Sequence, residues 1–150
     1  MQEGKYLAAI YADPNHRSCP IEQTFRIVGR RWTVLILREL FFGANRFVQI
    51  ERGVGRINPK VLSNRLRELE DSEIVQRRVS PGRPVQIEYS LTEKGRNLLP
   101  LLYSAAKYSL GNCPDVVFKD AKPHTPEEIL RKMSLGSASP STRGRPQAGT

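Results

Sequence analysis

The feature that most constrains the fold is the dipeptide Asn58-Pro59, which opens a segment of mixed polarity. Asparagine caps the free backbone N–H groups of a helix start, and proline is favoured at the first helical position. The pair therefore predicts a helix over residues 58–71. At about 100° per residue, the segment separates into an apolar and a polar side. The apolar side comprises Val61, Leu62, Leu66 and Leu69, and the polar side comprises Lys60, Ser63, Asn64 and Arg67.

Two strand-like runs follow, at residues 74–79 and 85–89, and Pro81-Gly82-Arg83-Pro84 joins them. Alternating apolar residues around a Pro/Gly turn predict a β-hairpin. Neighbouring residues of a strand face opposite sides, so at most one of Arg77 and Arg78 can point at a common partner. A basic hairpin directly after an amphipathic helix predicts a winged helix-turn-helix.

Helical patterns surround this segment and make the predicted fold α+β but mostly helical. They cover 20–28, 30–42 (ended by Gly43) and 46–53, and a last core helix begins at Thr92, with Pro100 as a potential kink. Thr125-Pro126-Glu127-Glu128 predicts a further short helix. The predicted organisation is an irregular N-terminal extension (1–18), a winged helix-turn-helix domain (19–110), a C-terminal extension (111–133) and a disordered basic tail (134–150).

The net charge of +9 is concentrated in the central part of the chain. Residues 26–96 hold 15 Lys and Arg against 8 Asp and Glu. Arginine suits bidentate contact with phosphate and guanine. No apolar run approaches the roughly 18 residues that a bilayer span needs. Double-stranded DNA is therefore the predicted partner, in preference to a membrane.

The polar side of the 58–71 helix predicts the DNA contacts. Its ammonium, hydroxyl, amide and guanidinium groups, on Lys60, Ser63, Asn64 and Arg67, suit base edges and phosphates in a major groove. Arg78 and Arg83 are predicted to follow the backbone or enter the minor groove. Arg65 lies near the apolar edge and should pair with a carboxylate. The alternative for the whole face is an ordinary solvated helix surface.

These residues resemble the HxlR family of winged helix-turn-helix transcriptional regulators. The matching strings are Cys19-Pro20-Ile21-Glu22, Gly29-Arg30-Arg31-Trp32, Leu35-Ile36-Leu37, Gly43, Arg46-Phe47, Ile57, Lys60-Val61-Leu62, Leu66-Arg67-Glu68-Leu69-Glu70, Pro84, Glu88-Tyr89-Ser90-Leu91-Thr92 and Gly95. The resemblance implies a homodimer whose first and last core helices serve as dimerisation helices. It also implies a palindromic operator. Only two cysteines and no export signal are found in the sequence, which fits a nucleoid-associated protein of the reducing cytoplasm. The chain departs from the family at Arg30-Arg31, at Ser72-Glu73, where the family has Asp/Asn-Gly, and at Tyr108.

Cys19 is a candidate sensor of oxidants or electrophiles, because the resemblance includes some HxlR-like proteins in which a cysteine at this position has that role. A helix start and the nearby Arg17 and Arg26 should lower its thiol pKa. The competing interpretation is an inert, half-buried thiol. His16, Cys19, Cys113 and His124 are too scattered to predict a zinc site, so we expect no metal and no cofactor.

Catalysis by Cys19 and His16 would need an oxyanion site and a third residue that orients the histidine, and the sequence indicates neither. An enzyme is therefore not predicted. A non-specific architectural DNA-binding protein is the main alternative, and a protein-interaction module is a third. Arg143-Gly144-Arg145-Pro146 resembles a minor-groove hook, although chance accounts for so short a match in a low-complexity tail. The sequence names no effector.

Overall fold

The computed structural model describes residues 2–15 and 17–135 and shows helices with one two-stranded antiparallel sheet. The elements are α1 (Gln2–Ala12), α2 (Pro20–Val28), α3 (Thr33–Phe41), α4 (Phe47–Val54), α5 (Pro59–Asp71), β1 (Val75–Ser80), β2 (Gln86–Leu91), α6 (Glu93–Arg96), α7 (Leu99–Asn112), α8 (Pro114–Val117) and α9 (Pro126–Leu135). The mostly helical α+β class is confirmed. The chain divides into two compact units, residues 1–102 and 103–150. His16 and residues 136–150, which include the hook-like segment and nearly all of the predicted tail, lie outside the described residues.

The first unit is built around an apolar core to which α2, α3, α4, α5 and both strands contribute. The apolar side predicted for α5 is the buried side: Leu62, Leu66 and Leu69 are at most 3% exposed. Burial of such side chains is worth roughly 1.5–3 kcal/mol each, so this face fixes the rotation of α5. The buried cluster comprises Val28, Ile36, Leu37, Leu40, Ile50, Val54, Ile57, Leu62, Leu66, Leu69, Ile74, Val75 and Leu91.

The helix predicted over 30–42 is shorter at its start than expected. Trp32 adopts a left-handed φ of 76°, so the regular helix begins at Thr33. The predicted end is confirmed. Gly43 (φ 91°) donates to the Leu40 carbonyl and Ala44 donates to the Glu39 carbonyl, the two bonds of a Schellman cap.

Two sequence expectations are wrong. The extension 1–18 is not irregular, because α1 occupies Gln2–Ala12, although it has no buried residue. Its residues are compatible with a helix but include no strong capping signal, so the terminus rules do not find it. The single helix expected after Thr92 is two helices: Thr92 caps the short α6, and Pro100 lies in the first turn of α7, where proline is tolerated.

The hairpin pairs Val75 with Leu91 at its buried base, and the register continues to Ser80 opposite Gln86. Beside it, the backbone N–H of Tyr89 donates to the Asn45 carbonyl at 2.8 Å, which ties β2 to the turn before α4. In the second unit the predicted capping box is confirmed. Thr125 Oγ1 accepts from the Glu128 N–H, and the Glu128 carboxylate accepts from the Thr125 N–H.

Candidate nucleic-acid interface

The start of α5 is built as the sequence predicted. The Asn58 side chain accepts a hydrogen bond from the backbone N–H of Lys60 at 2.8 Å, and Pro59 is the first helical residue. Because this cap fixes the first turn while the leucines fix the rotation, the side chains on the opposite face have a defined direction. All four predicted contact residues on that face, Lys60, Ser63, Asn64 and Arg67, are exposed.

None of these four side chains makes a hydrogen bond or ion pair to another residue in the part of the chain that the structure describes. Arg65, one position from the face, behaves differently. Its guanidinium binds Glu68 and donates to the Arg31 carbonyl. The prediction that Arg65 pairs with a carboxylate is confirmed. The outer face of α5 therefore presents hydrogen-bonding groups that a partner could bind, whereas Arg65 at the edge of this face binds other residues of the protein.

The arginines of the first unit fall into two sets. Those with carboxylate partners are Arg26, Arg30, Arg38, Arg46 and Arg65. Two further cations, Arg52 in α4 and Arg56 in the turn before α5, are exposed and have no carboxylate within ion-pair distance among the described residues. Sequence reasoning missed both, although a check for basic residues in the helix and turn before α5 would have found them.

Gly55 (φ 87°) makes the turn that joins α4 to α5. A left-handed residue at this point reverses the chain within a few residues, which glycine does at little steric cost. The result is two short helices in succession, whose buried residues Ile50, Val54 and Leu62 share the same core. This is the arrangement of a helix-turn-helix.

Arg78 lies on the opposite side of the hairpin from the buried Val75, and Glu88 is directly across from it. Arg77 shares the side of Val75, so the two arginines diverge, as expected. Arg83 is exposed in the turn. Of the two predicted hairpin contacts, only Arg78 therefore has an acidic neighbour across the strand pair.

Arg46 connects the hairpin to the helix-turn-helix, which the sequence did not indicate. Its Nη2 donates to Gln86 Oε1 at 2.9 Å and lies 3.6 Å from Glu88 Oε1. Arg46 is also the residue that precedes α4, and its backbone N–H donates to the side chain of Gln49. The partners are 40 residues apart in sequence, so only the folded chain reveals this contact.

Cys19 is the N-cap residue of α2. Its Sγ accepts from the Glu22 N–H at 3.3 Å, and the Tyr11 hydroxyl lies 2.7 Å from the same sulfur. The Tyr11 hydroxyl, followed by the Glu22 N–H, lowers the pKa of the Cys19 thiol because both stabilise the thiolate. Neither Arg17 nor Arg26 is among the groups that lower this pKa, so their expected role is wrong, and Arg26 binds the Glu22 carboxylate instead.

No metal centre is evident over residues 2–15 and 17–135, where no three His, Cys, Asp or Glu side chains converge. His124 instead contacts Asp120 at 2.9 Å and the edge of the Phe118 ring. The His124 contact lowers the pKa of the Asp120 carboxyl. In the same described portion, no helix combines the length and apolarity needed to cross a bilayer.

Comparison with known proteins identifies the fold and the family. The sequence matches the family model for the HxlR-like helix-turn-helix over residues 27–116, a region that contains α3 to α7 but neither α1 nor Cys19. It is 44% identical over 92 residues to the uncharacterised HTH-type transcriptional regulator YvaP of Bacillus subtilis, covering 61% of this chain and 85% of YvaP.

Two solved structures resemble this chain. The reduced transcriptional regulator YodB from B. subtilis is 39% identical, with a TM-score of 0.58, and the match covers 65% of this chain and 96% of YodB. The redox regulator HypR in its reduced form is 34% identical, with a TM-score of 0.58, and the match covers 61% of this chain and 90% of HypR. The winged helix-turn-helix interpretation is confirmed, and the chain belongs to the HxlR-like helix-turn-helix family.

Proposed function

We propose that this protein is a homodimer that binds a palindromic operator, with α5 in the major groove and the hairpin on the backbone or in the minor groove. Its family and its relatives are helix-turn-helix transcriptional regulators, so the chain is a DNA-binding regulator of transcription and not an enzyme. A regulator of this kind acts in the cytoplasm on nucleoid DNA.

The observation that carries the proposal is the outer face of α5. Lys60, Ser63, Asn64 and Arg67 are exposed and without partners among the described residues, while the opposite face is anchored in the core. An amide and a guanidinium on adjacent turns suit adenine and guanine edges. Arg52 and Arg56, which have no carboxylate partner among the described residues, extend the basic surface to the preceding helix and turn. The helix before the recognition helix crosses the phosphate backbone in such folds.

The test begins with selection of bound genomic fragments, followed by titration of the selected site by fluorescence anisotropy. Asn64→Ala and Arg67→Ala should each weaken operator binding by about 5- to 150-fold and relax one base position. Lys60→Ala and Arg83→Ala should weaken binding to all sequences alike and reduce the salt slope by about one. Lys119→Ala, an exposed cation of the second unit, is the charge-matched control.

A uniform loss for the three α5 variants, Lys60→Ala, Asn64→Ala and Arg67→Ala, would mean that the face contacts only the backbone. A specific-to-non-specific affinity ratio below about 10³ would favour the architectural alternative. Absence of DNA binding at low salt would favour the protein-interaction alternative. Light scattering of the free protein tests the homodimer separately.

A second proposal concerns Cys19, which we infer to be a sensor thiol. Its support is the pair of contacts from Tyr11 and from the Glu22 N–H, which favour the reactive thiolate. The relatives include a redox regulator, HypR, and a quinone-bound form of YodB. In Cys19→Ser an oxidant or a quinone should no longer release the operator, while Cys113→Ser should respond normally. Release that is unchanged in Cys19→Ser would exclude this role.

A further inference from the structure

The β1–β2 hairpin is packed into the core at one end only. Val75 and Leu91, the pair at its base, are buried, whereas residues 76–79 and 81–86 are exposed. A strand pair without a third strand or a covering helix has little of its own to keep it straight. Core packing therefore fixes the base of the hairpin but not the direction of its outer half.

The direction of the outer half decides where Arg83 lies. The Tyr89 N–H is bound to the Asn45 carbonyl, and the ladder continues beyond this bond to Gln86, about 10 Å away at the usual rise per residue. A swing of about 15° at Tyr89 would move the turn by about 3 Å, which is the length of a hydrogen bond. A contact between Arg83 and DNA therefore needs a second restraint on the hairpin.

Arg46 supplies this restraint. Its Nη2 donates to Gln86 Oε1 at 2.9 Å and lies 3.6 Å from Glu88 Oε1. Among the described residues, no other side chain from outside the hairpin makes a hydrogen bond or an ion pair to residues 76–88. A guanidinium suits this task because its rigid fork of donors can serve an amide oxygen and a carboxylate together.

The backbone of Arg46 is itself held in place. Its N–H donates to Gln49 Oε1 at 3.1 Å, and its carbonyl accepts from the Ile50 N–H at 3.0 Å. Ile50 is completely buried in the core, and the helix α4 to which it belongs leads through one turn into α5. Arg46 therefore ties the outer half of the hairpin to the helix pair that carries the DNA-facing side chains.

We propose that Arg46 is a positioning residue for DNA binding. Through Gln86 and Glu88 it holds the hairpin at the angle at which Arg83 and α5 meet the same duplex. Two contacts with one duplex reinforce each other only when the geometry allows both at once. The effect on operator affinity rests on the proposed function, whereas the restraint on the hairpin does not.

A double-mutant cycle with the selected operator tests the proposal. Arg83→Ala should weaken binding about threefold or more in the wild type, but less than about twofold in Arg46→Met, where the turn is no longer aimed. Arg52→Met is the charge-matched control, since Arg52 is an exposed residue of α4 without a hydrogen bond or ion pair to the hairpin among the described residues. It should weaken binding but keep the full penalty of Arg83→Ala. The same penalty in Arg46→Met as in the wild type would overturn the proposal, because Arg46 would then act by its charge alone.

The hairpin side of the contact gives a test in which electrostatics and positioning predict opposite signs. The double variant Gln86→Ala with Glu88→Ala removes both partners of Arg46 and one negative charge. Charge alone predicts tighter binding to DNA, whereas loss of the restraint predicts weaker binding. Glu70→Ala removes the same charge from an exposed position of α5 and should bind DNA at least as tightly as the wild type. Equal or tighter binding by the double variant would also overturn the proposal.

The restraint is measured separately, by NMR on the full chain without DNA. Arg46→Met should lower the backbone order parameters of residues 86–88, and Arg52→Met should leave them at their wild-type values. Unchanged order parameters in Arg46→Met would overturn the positioning role. If Arg83→Ala costs nothing in the wild type, the proposed contact of the hairpin with DNA is wrong, while the order parameters still decide whether Arg46 holds the hairpin.

Discussion

Replacing Glu73 by glycine should stabilise this protein, although the change removes a side chain and an ion pair. Glu73 follows α5 with a left-handed φ of 58°. Its N–H donates to the Glu70 carbonyl and the Ile74 N–H donates to the Leu69 carbonyl, so the turn is a Schellman cap made without glycine. The chain forms this cap with Ser72-Glu73, at the position where the family resemblance implied Asp/Asn-Gly.

The expected gain follows from three terms. A left-handed conformation costs an ordinary residue roughly 1–2 kcal/mol, which glycine avoids. Glycine also lowers the free energy of unfolding by about 0.4–1 kcal/mol, because it gives the unfolded chain more conformational freedom. The Glu73–Lys94 pair spans 3.6 Å between side chains that are 83% and 56% exposed, so its loss costs no more than a few tenths of a kcal/mol. The net stabilisation is about 0.5 kcal/mol.

Glu70→Gly provides the matched control, because Glu70 is an exposed residue in the last turn of α5 with ordinary helical geometry. That change relieves no strain and should destabilise the protein by about 1 kcal/mol. Urea denaturation followed by circular dichroism should therefore place the two variants about 1.5 kcal/mol apart, with equal m-values. If Glu73→Gly is as unstable as Glu70→Gly, the left-handed strain assigned to Glu73 is refuted.

Three further predictions concern the same unit. Asn58→Ala should lower the free energy of unfolding by about 1 kcal/mol, because the Lys60 N–H loses its cap; Asn58→Asp should keep the cap in the same urea titration. Gly95→Ala should destabilise by about 2 kcal/mol or more, because a Cβ there would overlap the Ile74 carbonyl oxygen; a melting temperature equal to that of the wild type would contradict this close approach. The Cys19 thiolate should persist to lower pH than an ordinary thiolate, because the Tyr11 hydroxyl lowers the pKa of the Cys19 thiol. The pH midpoint of its alkylation by iodoacetamide should therefore rise in Tyr11→Phe. The same midpoint should stay low in the control variant Tyr6→Phe.

Local signals in the sequence determined most of the helix-turn-helix. The Asn58 cap, the glycine at Gly43 and the leucine spacing of α5 each act within one or two turns, so they can be recognised without the fold. The hairpin was predicted for the same reason, from alternating residues around a Pro/Gly turn. The local rules failed where no strong signal marks an element, as at α1, or where a proline begins a helix instead of bending one, as at Pro100.

Which cations remain available for DNA was decided by the tertiary structure. Arg30 binds Glu68 and Arg46 binds Gln86 across 38 and 40 residues of sequence, whereas Arg52, Arg56 and Arg67 meet no carboxylate among the described residues. Composition predicts a basic protein but cannot distinguish these two sets. Ion pairing depends on distances between side chains that the chain brings together only when its core is packed.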